Sequence, residues 1–526
     1  MPFALAAQPD PLPTLKELEA AGARVGVIRV VAKDIFDTTD PLEDNWLFRL
    51  ANGMHIETRP SVIEHALLFK SGEPLSLQKL DESERLLRES RYLYSVEFRP
   101  AAYHDGVVDI DVVTRDTWSL DAGVSLGRAG GVNTGGFSLR EYNLLGSGMA
   151  LSLGHTKGVD RSGNEFSLGT DHAFGSRVAF NLAHATNSDG RRDAFTVRQP
   201  FYALDSRWSA GFSVLRDDRI DPVYNTGEVE SQYRHHLKEA EVFGGWSQGL
   251  VNGWTQRYSL GMGLRDNTYL PEPGMVAPSD LPDDQKLVYP FVRYELVEDR
   301  FDRELNRNLI GRPEFFAIGL NSMLQLGLAT RSLGSSADAL VYQWTLSRGF
   351  EPSPDQTLMA AAQTSGQYAD GQLQRHQLGG QMQYYLRLRP NALFYAGASA
   401  DMLTNSEIDQ LLMLGGDNGL RGYPLRYQTG TRRALFTVEE RFYTDWYVWR
   451  LFHVGAAVFA DVGHAWGGPN TNLSNPGWLS DVGVGLRIVS ARSAFGNVLH
   501  LDVASPLNTT PDIKRVQFLV KTKTSF

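Results

Sequence analysis

The sequence predicts an α+β domain followed by an all-β, antiparallel transmembrane barrel, and three features carry that prediction. Segments with helical spacing lie before position 118, whereas from Trp118 onward apolar and polar residues alternate with a period of two, which is typical of half-buried strands. The alternating segments run about ten residues, the length that a tilted strand needs to cross a bilayer. Glycine is abundant, at 51 of 526 residues, and it punctuates the turns between the segments.

The composition excludes several classes of function. A net charge of −10 without a basic run argues against nucleic acid as a partner, because phosphate backbones require clustered Lys and Arg. The absence of cysteine excludes disulfides, thiol chemistry and Cys-based metal sites. No apolar run approaches the roughly 20 residues of a transmembrane helix. Metalloprotease, phosphate-binding and serine-hydrolase motifs are also missing, so we expect no enzyme activity, no cofactor and no metal.

The first 117 residues have the pattern of a small domain. Thr14 and Glu17 form a capping box, so 1–23 is interpreted as a short N-terminal helix and linker. The Ala-x-Ala pattern within 1–6 resembles the end of a signal peptide, although a basic region and a full apolar core are missing. Residues 24–117 follow the order β-α-α-β-β, which predicts one compact α+β domain.

Strand alternation runs through 118–526 and leaves two architectures open. In "QRYSLGMGLR" (256–265) and "LFHVGAAVFADVG" (451–463), apolar side chains occupy every second position. A soluble β-sandwich would show the same alternation, but its strands usually have about 5–6 residues, so the segment length favours a membrane barrel. We count about fifteen strands before the glycine-rich segment 414–430 and about five after it, or about twenty in all.

Three motifs, taken in their order along the chain, resemble one protein family. Segment 69–116 is similar to the second half of a POTRA domain, and "EYNLLGSG" (141–148) is similar to an early turn of the BamA/TamA-type outer-membrane assembly superfamily. "LRGY" (420–423) matches that superfamily's loop motif of aliphatic residue, Arg, Gly and aromatic residue. The resemblance implies a single periplasmic POTRA domain at 24–117 and a barrel at 118–526, in the bacterial outer membrane.

The resemblance also implies details that the alternation pattern does not give. The usual barrel of this superfamily has sixteen strands, so two hairpins, near 164–186 and 339–368, are expected to be additional. The loop at 414–430 is expected to fold back into the barrel lumen. Trp118 and other tryptophans near strand ends are interpreted as an interfacial girdle.

The arginine of the LRGY motif is the first candidate functional residue. In relatives the loop arginine meets acidic side chains of the following strands. Alternation directs Glu439 and Asp461 inward, and an enclosed arginine is costly unless it is paired. The alternative is that Arg421 is a solvated loop residue, but the guanidinium fork suits carboxylates well. The candidate latch consists of Leu420, Arg421, Gly422 and Tyr423, with Asp461 and Glu439 as partners.

The second candidate site is the seam between the first strand, at 118–128, and the last, at 515–526. Glycines reduce packing along the inner face of the first strand, and the last strand ends at a free C-terminus, so we expect the barrel to close most weakly here. Phe526 is expected to give the aromatic end by which such barrels are recognised in relatives. The seam and C-terminal signal residues are Trp118, Leu120, Val124, Val516, Phe518, Val520 and Phe526.

Three functions compete at this stage. The first is insertion or assembly of outer-membrane proteins, in which the POTRA domain captures clients by β-augmentation at an edge strand, at 93–99 or 24–31, and the seam opens laterally. The second is secretion of a partner polypeptide through the lumen, as in FhaC-like two-partner systems, and the third is a passive porin. The expected partners are outer-membrane lipids, unfolded outer-membrane or secreted polypeptides, and periplasmic accessory proteins.

Overall fold

The computed structural model describes residues 12–173, 175–468, 476–494, 497–509, 511 and 513–523. The described residues form an N-terminal α+β region and a closed antiparallel β-barrel, which confirms the predicted fold class. The possible signal-peptide remnant at 1–6 and the C-terminal Phe526 lie outside the described residues.

The N-terminal region is a three-stranded sheet covered by helices. The sheet has the order β1-β3-β2, with β1 parallel and β2 antiparallel to the central β3. The buried core is built from apolar residues of the helices and the sheet, among them Leu18, Ile63, Leu87 and Ile110. The elements are α1 (Leu15–Ala20), β1 (Arg24–Lys33), α2 (Trp46–Met54), α3 (Pro60–Ala66), α4 (Leu77–Glu89), β2 (Leu93–His104) and β3 (Val107–Asp116).

One helix of this region was not predicted. The sequence pattern gave two helices between the first two strands, but the structure has three, because α2 precedes α3 and α4. The Asn45 side chain accepts a hydrogen bond from the Phe48 amide at 2.9 Å and so caps the start of α2. Phe48 is buried and stacks on Phe36 with ring centroids 3.9 Å apart. This aromatic pair and the two hydrogen bonds between the Asn52 side chain and the Phe36 backbone hold α2 against the chain segment before it.

Twenty strands of the described residues close into the barrel, as the count by alternation predicted, rather than sixteen. Two short strand pairs, β14–β15 and β21–β22, lie outside this wall. The wall strands are β4 (Leu120–Ala129), β5 (Val132–Glu141), β6 (Met149–Lys157), β7 (Ser162–Ala173), β8 (Val178–Asn187), β9 (Gly190–Gln199), β10 (Trp208–Asn225), β11 (Glu228–Val251), β12 (Trp254–Pro271), β13 (Gln285–Glu298), β16 (Asn321–Ala329), β17 (Ala339–Ser353), β18 (Gln356–Ala369), β19 (Gln372–Arg389), β20 (Ala392–Thr404), β23 (Arg432–Val448), β24 (Phe452–Trp466), β25 (Leu479–Ser490), β26 (Val498–Pro506) and β27 (Gln517–Lys523). The short strands are β14 (Phe301–Leu305), β15 (Pro313–Ala317), β21 (Leu412–Leu414) and β22 (Gln428–Gly430).

The side chains of the wall sort by face. Outward positions carry exposed apolar residues, such as Leu260, Val458 and Val484, whereas inward positions carry buried charged residues, such as Asp461 and Arg487. This arrangement is the reverse of a soluble barrel and matches a wall that faces lipid. Within the described residues, no helix has the length and apolar character needed to span a bilayer.

We name the two mouths of the barrel by their neighbours. The proximal mouth is the end where β4 begins, next to the N-terminal region, and the distal mouth is the end from which the segment 414–430 enters the lumen. Because consecutive wall strands alternate in direction, the connection from β13 to β16 also lies at the proximal mouth.

Candidate functional site

The segment 414–430, here called the RGY loop, lies between β20 and β23 and is closed at its base by the β21–β22 pair. Leu414, Leu420, Tyr423 and Tyr427 are buried and pack with Ala465 and Leu479 on the inner wall. A glycine-rich loop that projected into solvent would leave these side chains exposed. The RGY loop is therefore part of the barrel interior.

Arg421 is held by two carboxylates of the adjacent wall strands. Its Nε and Nη2 donate to the two carboxylate oxygens of Asp461 at 2.7 and 2.8 Å, and its Nη1 donates to Glu439 at 2.7 Å. The guanidinium also lies 3.4 Å from the centroid of the Phe459 ring. Asp461 is 0% exposed and Arg421 is 7% exposed, so the ion pair is shielded from water. A bidentate pair of this kind fixes both the position and the orientation of the arginine.

The neighbours of Arg421 in the motif have distinct roles in the same packing. A Cβ on Gly422 would lie 2.6 Å from the Asp481 Cβ, so only glycine allows this approach to β25. The Tyr423 hydroxyl donates to the Ser480 carbonyl at 2.9 Å, and Leu420 fills the apolar cluster around Leu414. The structure thus brings together the predicted motif residues and the two predicted partners, and Thr437 donates to Asp461 at 2.8 Å in addition.

A second arginine holds the other end of the RGY loop, and the sequence reasoning missed it. Arg426 donates to both carboxylate oxygens of Asp160, in the turn between β6 and β7, at 2.7 and 2.8 Å. The Tyr224 hydroxyl donates to the same carboxylate at 2.7 Å, and its ring lies 4.5 Å from the Arg426 guanidinium. Burial would raise the pKa of Asp160, but the hydrogen bonds from Arg426 and Tyr224 outweigh burial and lower it. The RGY loop therefore spans the lumen between two ion pairs.

The barrel seam is far less regular than the rest of the wall. Within the described residues β27 and β4 share a single register pair, Val520 with Arg128, whereas β4 and β5 share ten. Leu120 and Val124 of β4 and Phe518 of β27 face outward and are exposed.

Two seam predictions need correction. Trp118 lies before β4 and does not share its outer face, because it forms a bridge with Ser493 and packs partly buried against the cluster of Ile35, Phe36 and Phe48. The N-terminal region covers part of its aromatic surface, which separates Trp118 from the outer face of β4. Val516 is exposed but immediately precedes β27.

The RGY loop touches both sides of this seam. On one side, Lys521 of β27 donates to the Gly416 carbonyl at 2.7 Å. On the other side, the turn after β4 packs so closely on the loop that a Cβ on Gly130 would lie 2.1 Å from the Leu425 amide nitrogen. Both contacts are made by backbone groups of the loop, and they place the loop across the distal end of the seam.

The remaining chemistry of the described chain is sparse. No group of three or more His, Asp or Glu side chains in the described ranges is arranged to hold a metal ion. Several buried charges form ion pairs within the lumen, as Arg421 with Asp461 and Arg487 with Asp502 illustrate. The candidate site therefore consists of the ion pairs that hold the RGY loop and of the seam where β27 and β4 close the barrel.

A twenty-stranded barrel with an N-terminal α+β region and an arginine-held lumenal loop defines a class of outer-membrane β-barrel. This chain belongs to the Omp85 superfamily, because the model of the Omp85 superfamily domain matches residues 143–523. That family assignment confirms the resemblance inferred from the sequence. No curated protein matches the chain.

The solved structures to which the chain is similar are distant from it in sequence. CdiB from Escherichia coli is 12% identical, with a TM-score of 0.51 over 95% of this chain and 76% of that chain. BamA from Haemophilus ducreyi lacking POTRA domains 1–3 is 13% identical, with a TM-score of 0.41 over 95% of this chain and 85% of that chain. CdiB from Acinetobacter baumannii is 12% identical, with a TM-score of 0.42 over 95% of this chain and 73% of that chain.

Proposed function

We propose that this protein inserts other β-barrel proteins into the outer membrane by opening its own seam. The observation that carries the proposal is the single register pair between β27 and β4 among the described residues. Unpaired backbone groups along a strand edge are a template for another strand. A client strand that pairs with the edge of β4 would gain the hydrogen bonds that β27 does not supply.

In this proposal the N-terminal region, at 24–117, is a single POTRA domain on the periplasmic side, and it captures extended client segments. Both edge strands of its sheet were predicted as candidates, and β1 is the better one. The outer edge of β2 is partly used, because its Leu93 and Val96 carbonyls accept hydrogen bonds from Arg312 and Arg88. The start of β1 is also used, because the Val25 amide donates to the Glu73 carbonyl and the Val25 carbonyl accepts from the Gly72 amide, but beyond Val25 the strand pairs only with β3, and Val27 is 57% exposed.

The RGY loop is the latch of the proposed mechanism. Since it contacts β27 through Lys521 and the turn after β4 through Gly130, it restrains the seam from the lumenal side. Arg421 fixes the loop to β23 and β24, which lie away from the seam. Seam opening at the distal end would therefore require that the loop shift, and the ion pairs set the resistance to that shift.

Secretion through the lumen and passive diffusion both need an open channel. The interior of this barrel is instead crossed by the RGY loop, with Arg421, Glu439 and Asp461 all buried. This filling supports insertion at the seam over the other two functions.

A disulfide across the seam tests the proposal. Arg128 and Val520 are register partners, and such Cα atoms lie about 4.5–5.5 Å apart, within the span of a disulfide. The double variant Arg128→Cys/Val520→Cys needs no background changes, since the chain has no cysteine. We expect oxidation to stop the insertion of client barrels in cells or proteoliposomes, and reduction to restore it.

The matched control is Val124→Cys/Phe137→Cys, a register pair on the outer face of the β4–β5 hairpin. This disulfide joins two strands that need not separate, so oxidation should leave insertion unchanged. If the seam disulfide formed fully and insertion continued at the wild-type rate, lateral opening would be excluded. Loss of one exported polypeptide, with client barrels unaffected, would instead support secretion.

A further inference from the structure

The connection between β13 and β16 is an unusually long turn that folds into the barrel. It consists of the β14–β15 pair and its tip, here called the lumenal hairpin and defined as residues 301–317. It begins at the proximal mouth, yet its tip residues Arg307 and Ile310 are 1% and 5% exposed. Connections of wall strands usually project into water, so burial of this tip requires a separate explanation.

The tip is buried against the inner wall. Ile310 belongs to one apolar cluster with inward-facing side chains from six consecutive wall strands, β19, β20 and β23 to β26. The base of the hairpin lies between β13 and β16, whereas its tip contacts the wall from β19 to β26, so the hairpin reaches over part of the proximal lumen. The wall residues of the cluster are Tyr385, Leu393, Tyr443, Ala457, Val489 and Val498.

Two buried charged groups of the hairpin, Arg307 and Glu314, have partners within it. Arg307 donates to Glu304 at 2.7 Å, and its guanidinium lies 3.9 Å from the Phe316 ring and 4.0 Å from the Tyr385 ring. The Glu314 carboxylate accepts hydrogen bonds from the Asn308 and Leu309 amides at 2.9 Å each. Because its buried charge and backbone amides have hydrogen-bond partners, the tip is an ordered element and not an irregular connection.

Two side chains of β23 link the hairpin to the RGY loop. Arg441 of β23 donates to the Arg307 carbonyl at 3.4 Å, and its Nε donates to Glu439 at 3.0 Å. Glu439 also accepts the hydrogen bond from Arg421. Glu439 and Arg441 therefore form the boundary between an insert from the proximal mouth and an insert from the distal mouth.

The N-terminal region contacts the hairpin at its base and next to its tip. The Arg85 guanidinium of α4 lies 3.5 Å from the centroid of the Phe301 ring, and Arg312 donates to the Leu93 carbonyl of β2 at 3.1 Å. Arg303 lies 4.0 Å from the Glu84 carboxylate of the same helix. The hairpin is thus held by the wall at Ile310, by α4 at its base and by β2 at Arg312, next to the tip.

We propose that the lumenal hairpin is a resident plug that closes the proximal half of the barrel to ions and extended polypeptide. Its withdrawal would expose the Ile310 cluster and break the contacts to α4, so the position of the N-terminal region controls whether the plug stays in place. This function is separate from insertion at the seam and holds whichever client the protein serves.

A shortened chain tests the plug. The Arg300 carbonyl accepts hydrogen bonds from the Ile318 and Gly319 amides, so an Asn-Gly turn can replace residues 301–317 without separating β13 from β16. Barrels of this size leave an aqueous channel when nothing fills them. In planar bilayers we expect the ion conductance of the shortened protein to exceed that of the wild type by on the order of ten-fold.

A cysteine reports whether the lumen wall has become accessible. Val498→Cys places the only thiol of the chain on the inner face of β26, next to Ile310. A membrane-impermeant maleimide should leave this thiol unmodified in the full-length protein and modify it in the shortened one. The control replaces 273–280, part of an exposed connection at the distal mouth, with a short turn and should change neither conductance nor labelling.

If the shortened protein does not fold, Ile310→Asp in the full chain tests the same claim. It places a carboxylate in the apolar cluster and should raise conductance and labelling, whereas Leu305→Asp, at a position 46% exposed, should raise neither. The plug is disproved if Val498→Cys becomes reactive while conductance stays at the wild-type level, or if the wild type already conducts as the shortened protein does. No client takes part in these measurements, so either result leaves the insertion proposal standing.

Discussion

The wall at β10–β11 and the seam at β27–β4 belong to one barrel but differ in the number of paired residues and in strand length. β10 and β11 share eighteen register pairs among the described residues, and β27 and β4 share one. β11 is 24 residues long and β27 is 7. Since each register pair contributes backbone hydrogen bonds and side-chain contacts, stability is distributed very unevenly around the barrel.

The uneven pairing shows how a closed barrel can retain one weak junction. The wall holds itself together through its strands, whereas the seam depends on a loop that reaches it through the lumen. Lys521 and Gly130 join the RGY loop to the two seam strands, and Arg421 joins the loop to β23 and β24. Changes in the loop should therefore affect the seam much more than the wall.

The largest expected effect comes from Arg421→Ala. This change removes the ion-pair partner of the buried Asp461 carboxylate and one of the two partners of Glu439, which keeps Arg441, and breaking a buried pair costs about 3–5 kcal/mol. We expect insertion activity to fall strongly, while part of the protein still forms barrels. Denaturant unfolding in detergent measures the loss of stability.

The control for this change is Arg421→Lys, which keeps the charge but cannot bond both oxygens of Asp461. It should recover only part of the lost stability. Wild-type stability in Arg421→Ala would show that the ion pair does not hold the loop.

A smaller effect is expected from Gly422→Ala. The added methyl group would lie 2.6 Å from the Asp481 Cβ, and overpacking of this kind typically costs about 1–3 kcal/mol. Gly244→Ala in β11 is the matched wall variant, because a Cβ there meets nothing within 4 Å. If both variants unfolded at the same denaturant concentration, close packing of the loop on β25 would not matter.

The smallest effect is expected from Arg426→Ala at the second anchor. Partly exposed charge pairs are screened by water, so the loss should be on the order of 1 kcal/mol. Because the pKa of Asp160 is lowered in the folded protein, this contribution is present above the ordinary carboxyl pKa and is lost as the pH falls through the lowered value.

The control for Arg426→Ala is Arg191→Ala, which removes an exposed ion pair of the wall with Asp193 at 3.8 Å. This control should leave the free energy of unfolding nearly unchanged. A double-mutant cycle of Arg426 and Asp160 isolates the pair itself. A coupling free energy of zero would show that the Arg426–Asp160 pair does not anchor the RGY loop.

The features that depend on alternation could be predicted from the sequence. The strand number followed from the period-two pattern, and the inward direction of Glu439 and Asp461 followed from the same parity. These are local properties, because a side chain's face is decided by its position in its own strand.

The features that it missed depend on contacts far apart in the chain. Arg426 and Asp160 are 266 residues apart, and no local pattern indicates that they meet. The lumenal hairpin was missed because its burial depends on contacts of Ile310 with wall strands far along the chain, from β19 to β26. Helix α2 was missed because its stability comes from the stacking of Phe48 on Phe36, which is a tertiary contact.

Amide hydrogen exchange of the protein in lipid nanodiscs tests most directly whether the seam is the weak junction. In an antiparallel strand alternate amides point to opposite neighbours, so about half of the β4 amides point toward β27. We expect these amides and those of β27 that face the seam to exchange rapidly, while the amides of β10 and β11 stay protected. Arg421→Ala should accelerate exchange at the seam and leave β10 and β11 unchanged. Equal protection of the seam and the β10–β11 wall would contradict a weak seam, and with it the proposed lateral opening.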